Sequence, residues 1–305
     1  MRIIFMGTPD FAVASLRTLV EAGCQVVAVI TATDKPARRG HELQPSAVKQ
    51  YALSVGLPVL QPEKLKNPAF LEELKSYQVD LQIVVAFRML PEVVWTMPPK
   101  GTFNLHASLL PQYRGAAPIN WVLINGETET GATTFFIQQE IDTGPLIFQE
   151  KEPIHPDDTA GSLHDRLMER GGRLVLKTTR AIEAGDYPQM AQAEGVTLKM
   201  APKIFRETCE INWNQPVVRV RDFIRGMSPY PAAWTTFQEK TVKIFSATFV
   251  ENQESGAPAE IGSYSSDHRS YLHFRCADGW LAAGELQLEG KRRMGIEEFL
   301  RGARV

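Results

Sequence analysis

The chain opens with Met1-Arg2-Ile3-Ile4-Phe5-Met6-Gly7-Thr8-Pro9-Asp10-Phe11, a short apolar run that meets a turn at once. The run over residues 2–6 predicts a buried strand rather than a signal peptide. Thr8 offers an N-cap hydroxyl and Pro9 suits the first helical position, so we expect a helix over residues 11–21. A strand that turns directly into a helix is typical of an α/β fold.

The alternation of strands and helices continues along the first part of the chain. Further strands are predicted over residues 25–30, 79–86, 102–106 and 133–137, and helices over 45–55, 71–77 and 160–184. Strands separated by crossover helices predict an open, mostly parallel α/β sheet. We assign this domain to residues 1–186.

The pattern changes near Asp186. Residues 187–205 show little periodicity and predict an extended linker. After Arg206 the chain shows short strand-like runs over 242–249, 270–276 and 281–288. The last two flank Ala277-Asp278-Gly279, a sequence suited to a hairpin turn. Residues 206–305 therefore predict a smaller, β-rich domain of barrel type.

Composition limits the possible functions. The net charge is −2 in 305 residues, which argues against a protein that coats nucleic acid non-specifically, because such binding depends on neutralising phosphates. The three cysteines are far apart, so neither a disulfide framework nor a zinc site is expected, and a cytoplasmic location fits. No apolar run approaches the roughly 20 residues of a membrane span.

One stretch carries most of the chemistry: Phe103-Asn104-Leu105-His106-Ala107-Ser108-Leu109-Leu110-Pro111-Gln112-Tyr113-Arg114-Gly115. On a strand, Asn104 and His106 point to one face. Two polar side chains suit a buried strand only near its carboxyl end, where open α/β sheets bind ligands. An amide and an imidazole suit acyl transfer, in which an oxyanion needs donors and an amine loses a proton. The alternative is a core histidine beside a structural asparagine.

The motif Asn-x-His-x-Ser-Leu-Leu-Pro, from Asn104 to Pro111, resembles the signature of the folate-dependent formyltransferases. These enzymes use 10-formyltetrahydrofolate on a Rossmann-like domain. The resemblance implies that Asp142, in Ile141-Asp142-Thr143-Gly144-Pro145, is catalytic together with Asn104 and His106. It implies that protonated His106 and the Asn104 amide stabilise the oxyanion, while Asp142 favours the imidazolium and relays a proton. No metal is required.

Similarity to one branch, the methionyl-tRNA formyltransferases, extends along almost the whole chain. The matching segments are residues 5–12, 34–40, 113–119 and 228–234. The resemblance implies formyl transfer to the α-amine of initiator methionyl-tRNA for translation initiation, an OB-like C-terminal domain, and no obligate protein partner. Phe87-Arg88 departs from the aromatic-glycine pair common in the family, which leaves the shape of the pterin pocket open.

The resemblance also implies two sets of binding residues. The expected folate contacts are Ala86, Phe87, Met89, Leu90, Ser108, Leu109, Leu110, Pro111, Gln138 and Glu140. The expected tRNA contacts are Lys35, Arg38, Arg39, Lys203, Arg206, Lys291, Arg292 and Arg293. The apolar folate residues equally suit a core, and each basic cluster alone suits a solvated surface. If the clusters share one face, they form a track for tRNA.

Four alternatives remain at this point. A formyltransferase acting on a small amine, such as a sugar nucleotide or glycinamide ribonucleotide, would share the catalytic trio, and so would a hydrolase of the formyl donor. The basic loop and the second domain favour tRNA over both. A non-catalytic RNA-binding protein would not need Asn104 and His106. A nicotinamide dehydrogenase is disfavoured because Gly7-Thr8-Pro9-Asp10 lacks the G-x-G-x-x-G pattern.

Overall fold

The computed structural model describes residues 1–36, 43–250 and 260–302, and the chain divides into two compact units. Unit 1 comprises residues 1–115, 130–153 and 164–199, and unit 2 comprises 116–129, 154–163 and 200–305. Two short stretches from the middle of the chain therefore belong to the same unit as its C-terminal third. The boundaries expected from the sequence, a domain over 1–186 and another from 206, stay a prediction.

The helices and strands follow one another in chain order. Up to residue 115 they are β1 (Ile3–Gly7), α1 (Asp10–Glu21), β2 (Val26–Ile30), β3 (Lys35–Pro36), β4 (Leu43–Gln44), α2 (Ala47–Ser54), β5 (Val59–Leu60), α3 (Pro68–Ser76), β6 (Leu81–Val85), α4 (Glu92–Trp95), β7 (Thr102–His106) and β8 (Arg114–Gly115). Up to residue 201 they are α5 (Pro118–Ile124), β9 (Glu129–Phe136), β10 (Leu146–Pro153), α6 (Ala160–Ala184) and β11 (Met200–Ala201). The remainder are a 3-10 turn (Glu207–Cys209), α7 (Val217–Met227), β12 (Ala233–Phe237), β13 (Lys240–Phe249), β14 (Tyr264–Ser266), β15 (Leu272–Arg275), β16 (Trp280–Leu288), β17 (Met294–Gly295) and α8 (Ile296–Gly302).

Unit 1 contains a seven-stranded sheet in the order β10-β9-β7-β6-β1-β2-β5. The five strands from β7 to β5 are parallel, which confirms the Rossmann-like α/β fold. β9 runs antiparallel to β7, so the sheet becomes mixed toward the edge formed by β9 and β10. The sheet is covered on both faces, and all of β1 is buried, as continuous apolar strands require.

The parallel strands end at a common edge. In the pairing of β6 with β7, Val85 lies opposite Leu105, and in that of β1 with β6, Gly7 lies opposite Val85. A Cβ atom on Gly7 would lie 2.6 Å from the Ala12 side chain, so this first turn needs a glycine to let α1 approach the strand. The segments that follow β1, β6 and β7 therefore emerge side by side, where ligands of open α/β sheets bind.

Side-chain hydrogen bonds mark the starts of α2 and α6 but not that of α1. α1 begins at Asp10 with Pro9, not Thr8, at the N-cap and no side-chain cap bond; the expected Thr8 cap is wrong because Pro9 adopts an extended conformation (ψ 175°) that excludes it from the helix. α2 begins after Ser46, whose side chain accepts from the Lys49 amide. Thr159 and Ser162 exchange backbone-to-hydroxyl bonds of 3.0 and 3.2 Å, and α6 then covers the predicted span.

Unit 2 is an antiparallel half-barrel with strand order β12-β13-β16-β15-β14, and β17 pairs with β16. This confirms the β-rich second domain. The hairpin expected at residues 277–279 is also confirmed, because Arg275 pairs with Trp280. Helix α7, which the sequence patterns did not predict, packs on the half-barrel core through Val220 and Ile224. Ile124 of α5 packs against the same core.

Residues 187–199, expected to be part of a linker, are extended but bonded to unit 1. Met190 and Leu146 exchange backbone hydrogen bonds of 2.8 and 3.0 Å. Lys199 accepts a hydrogen bond of 2.6 Å from the Tyr113 amide. We call this segment the strap.

Three further observations concern the described ranges only. Cys24, Cys209 and Cys276 are free thiols. None of the helices there combines the length and apolar character that a membrane crossing requires. No cluster of three or more histidine, cysteine or acidic side chains there is arranged to hold a metal ion.

A buried carboxylate joins the sheet of unit 1 to α6. Glu152 on β10 has a side chain only 6% exposed, and it accepts hydrogen bonds from Arg166 Nε at 2.9 Å and Arg170 Nε at 2.5 Å. Burial alone would raise the pKa of the Glu152 carboxyl, but the hydrogen bonds from the two arginines outweigh burial and lower that pKa.

We expect Glu152→Gln to reduce the free energy of unfolding at neutral pH by about 1.5–3 kcal/mol, the value of hydrogen bonds to a charged group. Because the folded pKa is lowered, this stabilisation is present above the unfolded pKa and disappears as the pH falls through the folded pKa. Denaturation at pH 7 and at pH 3 measures the free energy of unfolding of parent and variant, and the difference between the two should be smaller at pH 3. Glu150→Gln is the control, since its contact with Arg170 is 3.7 Å long and more exposed; an equal loss in both variants would contradict the account.

Candidate active site

Strand β7 presents Asn104 and His106 on one face. Its last residue is His106, so both side chains stand at the carboxyl end of the strand, as expected. Asn104 lies between Val84 of β6 and Phe135 of β9. The Asn104 Oδ1 atom is buried and has no hydrogen-bond partner among the described residues. A buried unpaired acceptor is costly, and it indicates a site for a donor from a bound molecule.

The His106 ring has a defined orientation. It is 6% exposed, and its Nε2 lies 2.8 Å from the carbonyl oxygen of Tyr113. Because a carbonyl oxygen can only accept a hydrogen bond, Nε2 must carry a hydrogen. Nδ1 is therefore the ring atom left for proton transfer, and it lies 3.8 Å from Asp142 Oδ2.

Asp142 stands in the turn that follows β9, and the structure brings it to His106 as expected. Its Oδ2 accepts a hydrogen bond of 2.9 Å from the Gly115 amide. Its backbone is in the left-handed region, with φ +57°, which is unfavourable for a residue with a side chain. Two residues on, a Cβ on Gly144 would lie 1.7 Å from the Phe136 carbonyl oxygen, so only glycine allows the turn.

The turn after β7 is held by buried polar groups. Thr133 Oγ1 of β9 donates to the Ser108 carbonyl at 2.6 Å and accepts from the Leu110 amide at 3.2 Å. Gln149 Nε2 donates to the Leu110 carbonyl at 2.8 Å. Ser108 is fully buried, and its hydroxyl donates to the Gln112 carbonyl at 2.7 Å. The serine hydroxyl of the motif therefore supports the turn.

The segment after β6 has exposed and buried parts. Ala86 is exposed with φ +47°, and Met89 is 74% exposed. Leu90 is buried in the unit 1 core, and Phe87 packs against that core. Arg88 donates to the carbonyls of Pro62 and Glu63 and lies 5.6 Å from the Phe87 ring centroid. The departure at Phe87-Arg88 thus places the guanidinium on a neighbouring loop.

The other expected folate residues lie in the two remaining loops at the site. Leu110 is buried against Phe135 and Leu146, whereas Leu109 and Pro111 are half-buried. Gln138 and Glu140 are exposed in the loop before Asp142. The folate contacts stay a prediction.

The expected tRNA contacts lie in both units. Lys35 is exposed on β3, while Arg38 and Arg39 lie outside the described residues. In unit 2, Lys203, Arg206 and Lys291 are exposed, and the Lys203 Nζ lies 5.4 Å from the Phe205 ring centroid. Arg292 and Arg293 are paired with Glu298 and Glu285, so these two arginines already have acidic partners. A single tRNA track stays a prediction.

Sequence reasoning missed several supporting residues. Thr133, Gln149 and Gln192 act through hydrogen bonds to residues distant in sequence, and Tyr113 acts through its main-chain carbonyl. Of these residues, Thr133 alone could have been found from the sequence, because a polar residue in a buried strand, opposite His106, requires hydrogen-bond partners. Gln192 lies in the segment that the sequence patterns treat as a linker, where nothing marks it out.

Comparisons with known proteins bear on the whole chain. The family model described as formyl transferase matches residues 1–179, and that of the formyl transferase C-terminal domain matches residues 203–304. The methionyl-tRNA formyltransferases of Parabacteroides distasonis and Bacteroides fragilis are 57% and 56% identical to this chain, each covering 99% of it and 95% of the relative. An N-formyltransferase from Helicobacter canadensis, solved with folinic acid and dTDP-3-aminofucose, is 21% identical and superimposes with a TM-score of 0.67 over 92% of this chain and 98% of that one. The similarity to this solved structure shows that the two chains share a fold.

We expect Thr133→Val to reduce the free energy of unfolding by about 1–3 kcal/mol, because it leaves buried partners of the turn unsatisfied. Thr130→Val is the matched control on the same strand. The Thr130 hydroxyl is buried and has no hydrogen-bond partner in the described ranges, so its replacement by a methyl group should be neutral or stabilising. Urea denaturation of both variants checks the pair. If Thr130→Val costs as much as Thr133→Val, the hydrogen bonds of Thr133 do not hold the turn.

Proposed function

This chain belongs to the formyl transferase family, and we propose that it transfers the formyl group of 10-formyltetrahydrofolate to the α-amine of initiator methionyl-tRNA for translation initiation. It is an enzyme, and its formyl donor is derived from folate. The observation that carries the proposal is the placement of Asn104, His106 and Asp142 together at the carboxyl end of β7. Relatives named methionyl-tRNA formyltransferase, 57% and 56% identical over nearly the full chain, support the choice of substrate.

The site has features that fit a folate donor. The orphaned Asn104 Oδ1 and the exposed segment at Ala86 and Met89 stand at adjacent strand ends. We propose that this segment, the turn over residues 108–111 and the loop with Gln138 and Glu140 hold the donor. When bound, the donor supplies the formyl group.

The chain's own residues move a proton and stabilise charge. With Nε2 bonded to Tyr113, protonated His106 presents Nδ1–H, and the Asn104 amide stands on the same face. Together they are placed to stabilise charge that develops on a carbonyl oxygen during acyl transfer. Nδ1 and Asp142 Oδ2, 3.8 Å apart, do not bond directly, but one amine or water can reach both at about 2.8 Å. As the amine nitrogen bonds to the formyl carbon, it loses a proton to Asp142, and that proton passes to N10 of the donor when the bond between the formyl carbon and N10 breaks.

The tRNA substrate rests on the second part of the chain. The C-terminal family model covers residues 203–304, which hold the basic residues Lys203, Arg206 and Lys291. We infer that they contact the tRNA backbone together with Lys35, Arg38 and Arg39 of the first unit. A small amine needs no such surface, so the sugar-nucleotide alternative is not favoured.

We place the reaction in the cytoplasm, where aminoacyl-tRNA is used and where free thiols such as Cys24 persist. The proposal needs no second protein, because Asn104, His106 and Asp142 all come from one chain.

Alanine at Asn104, His106 or Asp142 should each lower kcat by about 10²–10³, the usual cost of removing one group that stabilises the transition state. Circular dichroism should show folded variants. His164→Ala is the control, because His164 forms a surface pair with Asp165 (Nδ1–Oδ1 3.0 Å) outside the site, and its kcat should change less than about twofold. A folded His106→Ala enzyme with full turnover would refute the assignment.

The substrate is tested by offering 10-formyltetrahydrofolate with either charged initiator tRNA or a panel of small amines that includes an amino-sugar nucleotide and glycinamide ribonucleotide. We expect formyl-methionyl-tRNA as the product, detected after deacylation by mass spectrometry. Transfer to a small amine alone would retain the chemistry and overturn the substrate. Release of formate without transfer would indicate a hydrolase.

A further inference from the structure

The strap carries a buried glutamine that bonds to the loop of Asp142. Gln192 is 8% exposed. Its Nε2 donates to the carbonyl oxygens of Asp142, at 2.7 Å, and of Gly144, at 2.9 Å. Resting on the proposed function, we propose that Gln192 is a positioning residue that holds the Asp142 carboxylate beside His106.

The hydrogen bonds around Gln192 form a closed ring. Its Oε1 accepts from Arg114 Nε at 3.1 Å and from Nη2 at 2.6 Å. Arg114 precedes Gly115, whose amide donates to Asp142 Oδ2. Gly115 therefore holds the Asp142 side chain, and Gln192 holds the Asp142 main chain. Arg114 links these two interactions, because it is bonded to Gln192 and directly precedes Gly115.

Asp142 needs such restraint because its own backbone disfavours the position. A non-glycine residue at φ +57° persists only where the surrounding structure over-determines it, at a cost of about 1–3 kcal/mol. Thr143 Oγ1 bonds within the loop, to the Glu140 carbonyl at 3.0 Å. In the part of the chain that the structure describes, Gly115 and Gln192 supply the hydrogen bonds that Asp142 makes.

The strap also holds the partner of His106. The Tyr113 amide donates to the Lys199 carbonyl, and the Tyr113 carbonyl accepts from His106 Nε2. One segment of chain thus sets both the imidazole, through Tyr113, and the carboxylate, through Gln192. The distance between His106 Nδ1 and Asp142 Oδ2 therefore depends on both Tyr113 and Gln192.

Gln192→Leu removes the donor and the acceptor but keeps the size of the side chain. We expect kcat to fall about 10–100-fold, because small misplacements of reacting groups lower the rate by this much. KM for each substrate should change less than about threefold. If Gln192 acts through Asp142, the substitution should lower kcat less than about threefold in an Asp142→Ala background, because effects on one interaction are not additive. Steady-state formylation of methionyl-tRNA, with each substrate varied in turn, gives kcat and KM for all four proteins of this cycle.

Two further variants separate positioning from stability. Thr102→Val is the stability control, because the buried Thr102 hydroxyl donates to Gln82 Oε1 at 3.1 Å and to the Trp95 carbonyl at 2.7 Å at the other end of β7; it should lower the melting temperature without a tenfold loss of kcat. Gln192→Glu keeps the acceptor for Arg114 and loses the donor to the two carbonyls. It should reproduce the kcat loss, and it replaces the leucine variant if that variant does not fold.

The proposal is overturned if folded Gln192 variants keep kcat within about threefold of the parent, or lose it equally with and without Asp142, since independent effects multiply. Failure of the parent enzyme to formylate methionyl-tRNA would instead overturn the proposed function. The two failures are distinguished by the parent measured in the same assay.

Discussion

The hydrogen bond from His106 Nε2 to the Tyr113 carbonyl is the constraint on which the site depends. It fixes which ring nitrogen carries hydrogen, and it turns the other toward Asp142. To present that carbonyl, the chain after β7 must fold back within a few residues, and Tyr113 adopts φ +60° to do so. The buried hydroxyl of Thr133 and the strap both support this turn, so residues far from the reaction determine the direction in which a proton can move.

Local patterns predicted the elements whose stability is local. The span of β7 follows from a short strand in which Phe103 and Leu105 alternate with polar residues, and that of α6 from a long amphipathic period. The pair Asn104 and His106 could be recognised from the sequence, because polar side chains on a strand that is buried on both faces require hydrogen-bond partners or a function. The N-cap of α1 was predicted one position too early, because Pro9 suits the first helical position by its sequence but adopts an extended conformation outside the helix.

The rest could not be read from the chain because it depends on contacts between distant residues. The bonds of Gln192 to Asp142 and Gly144 join positions about 50 apart in sequence, and neither a period nor a motif marks them. A main-chain carbonyl such as that of Tyr113 carries no side-chain signature at all. Helix α7 was missed because charged residues interrupt it, among them Arg225, whose bond to the buried Asp222 makes the pair compatible with a core.

The discontinuous make-up of unit 2 affects how the chain can fold during synthesis. Helix α5 leaves the ribosome well before α7, yet Gly226 of α7 is where a Cβ would lie 2.7 Å from Ile124, so the two helices fit closely. Asn120 also donates to the Gly226 carbonyl at 2.8 Å. Until α7 is made, the side of α5 that packs against α7 has no cover, and the nascent chain exposes apolar surface of the kind that promotes aggregation.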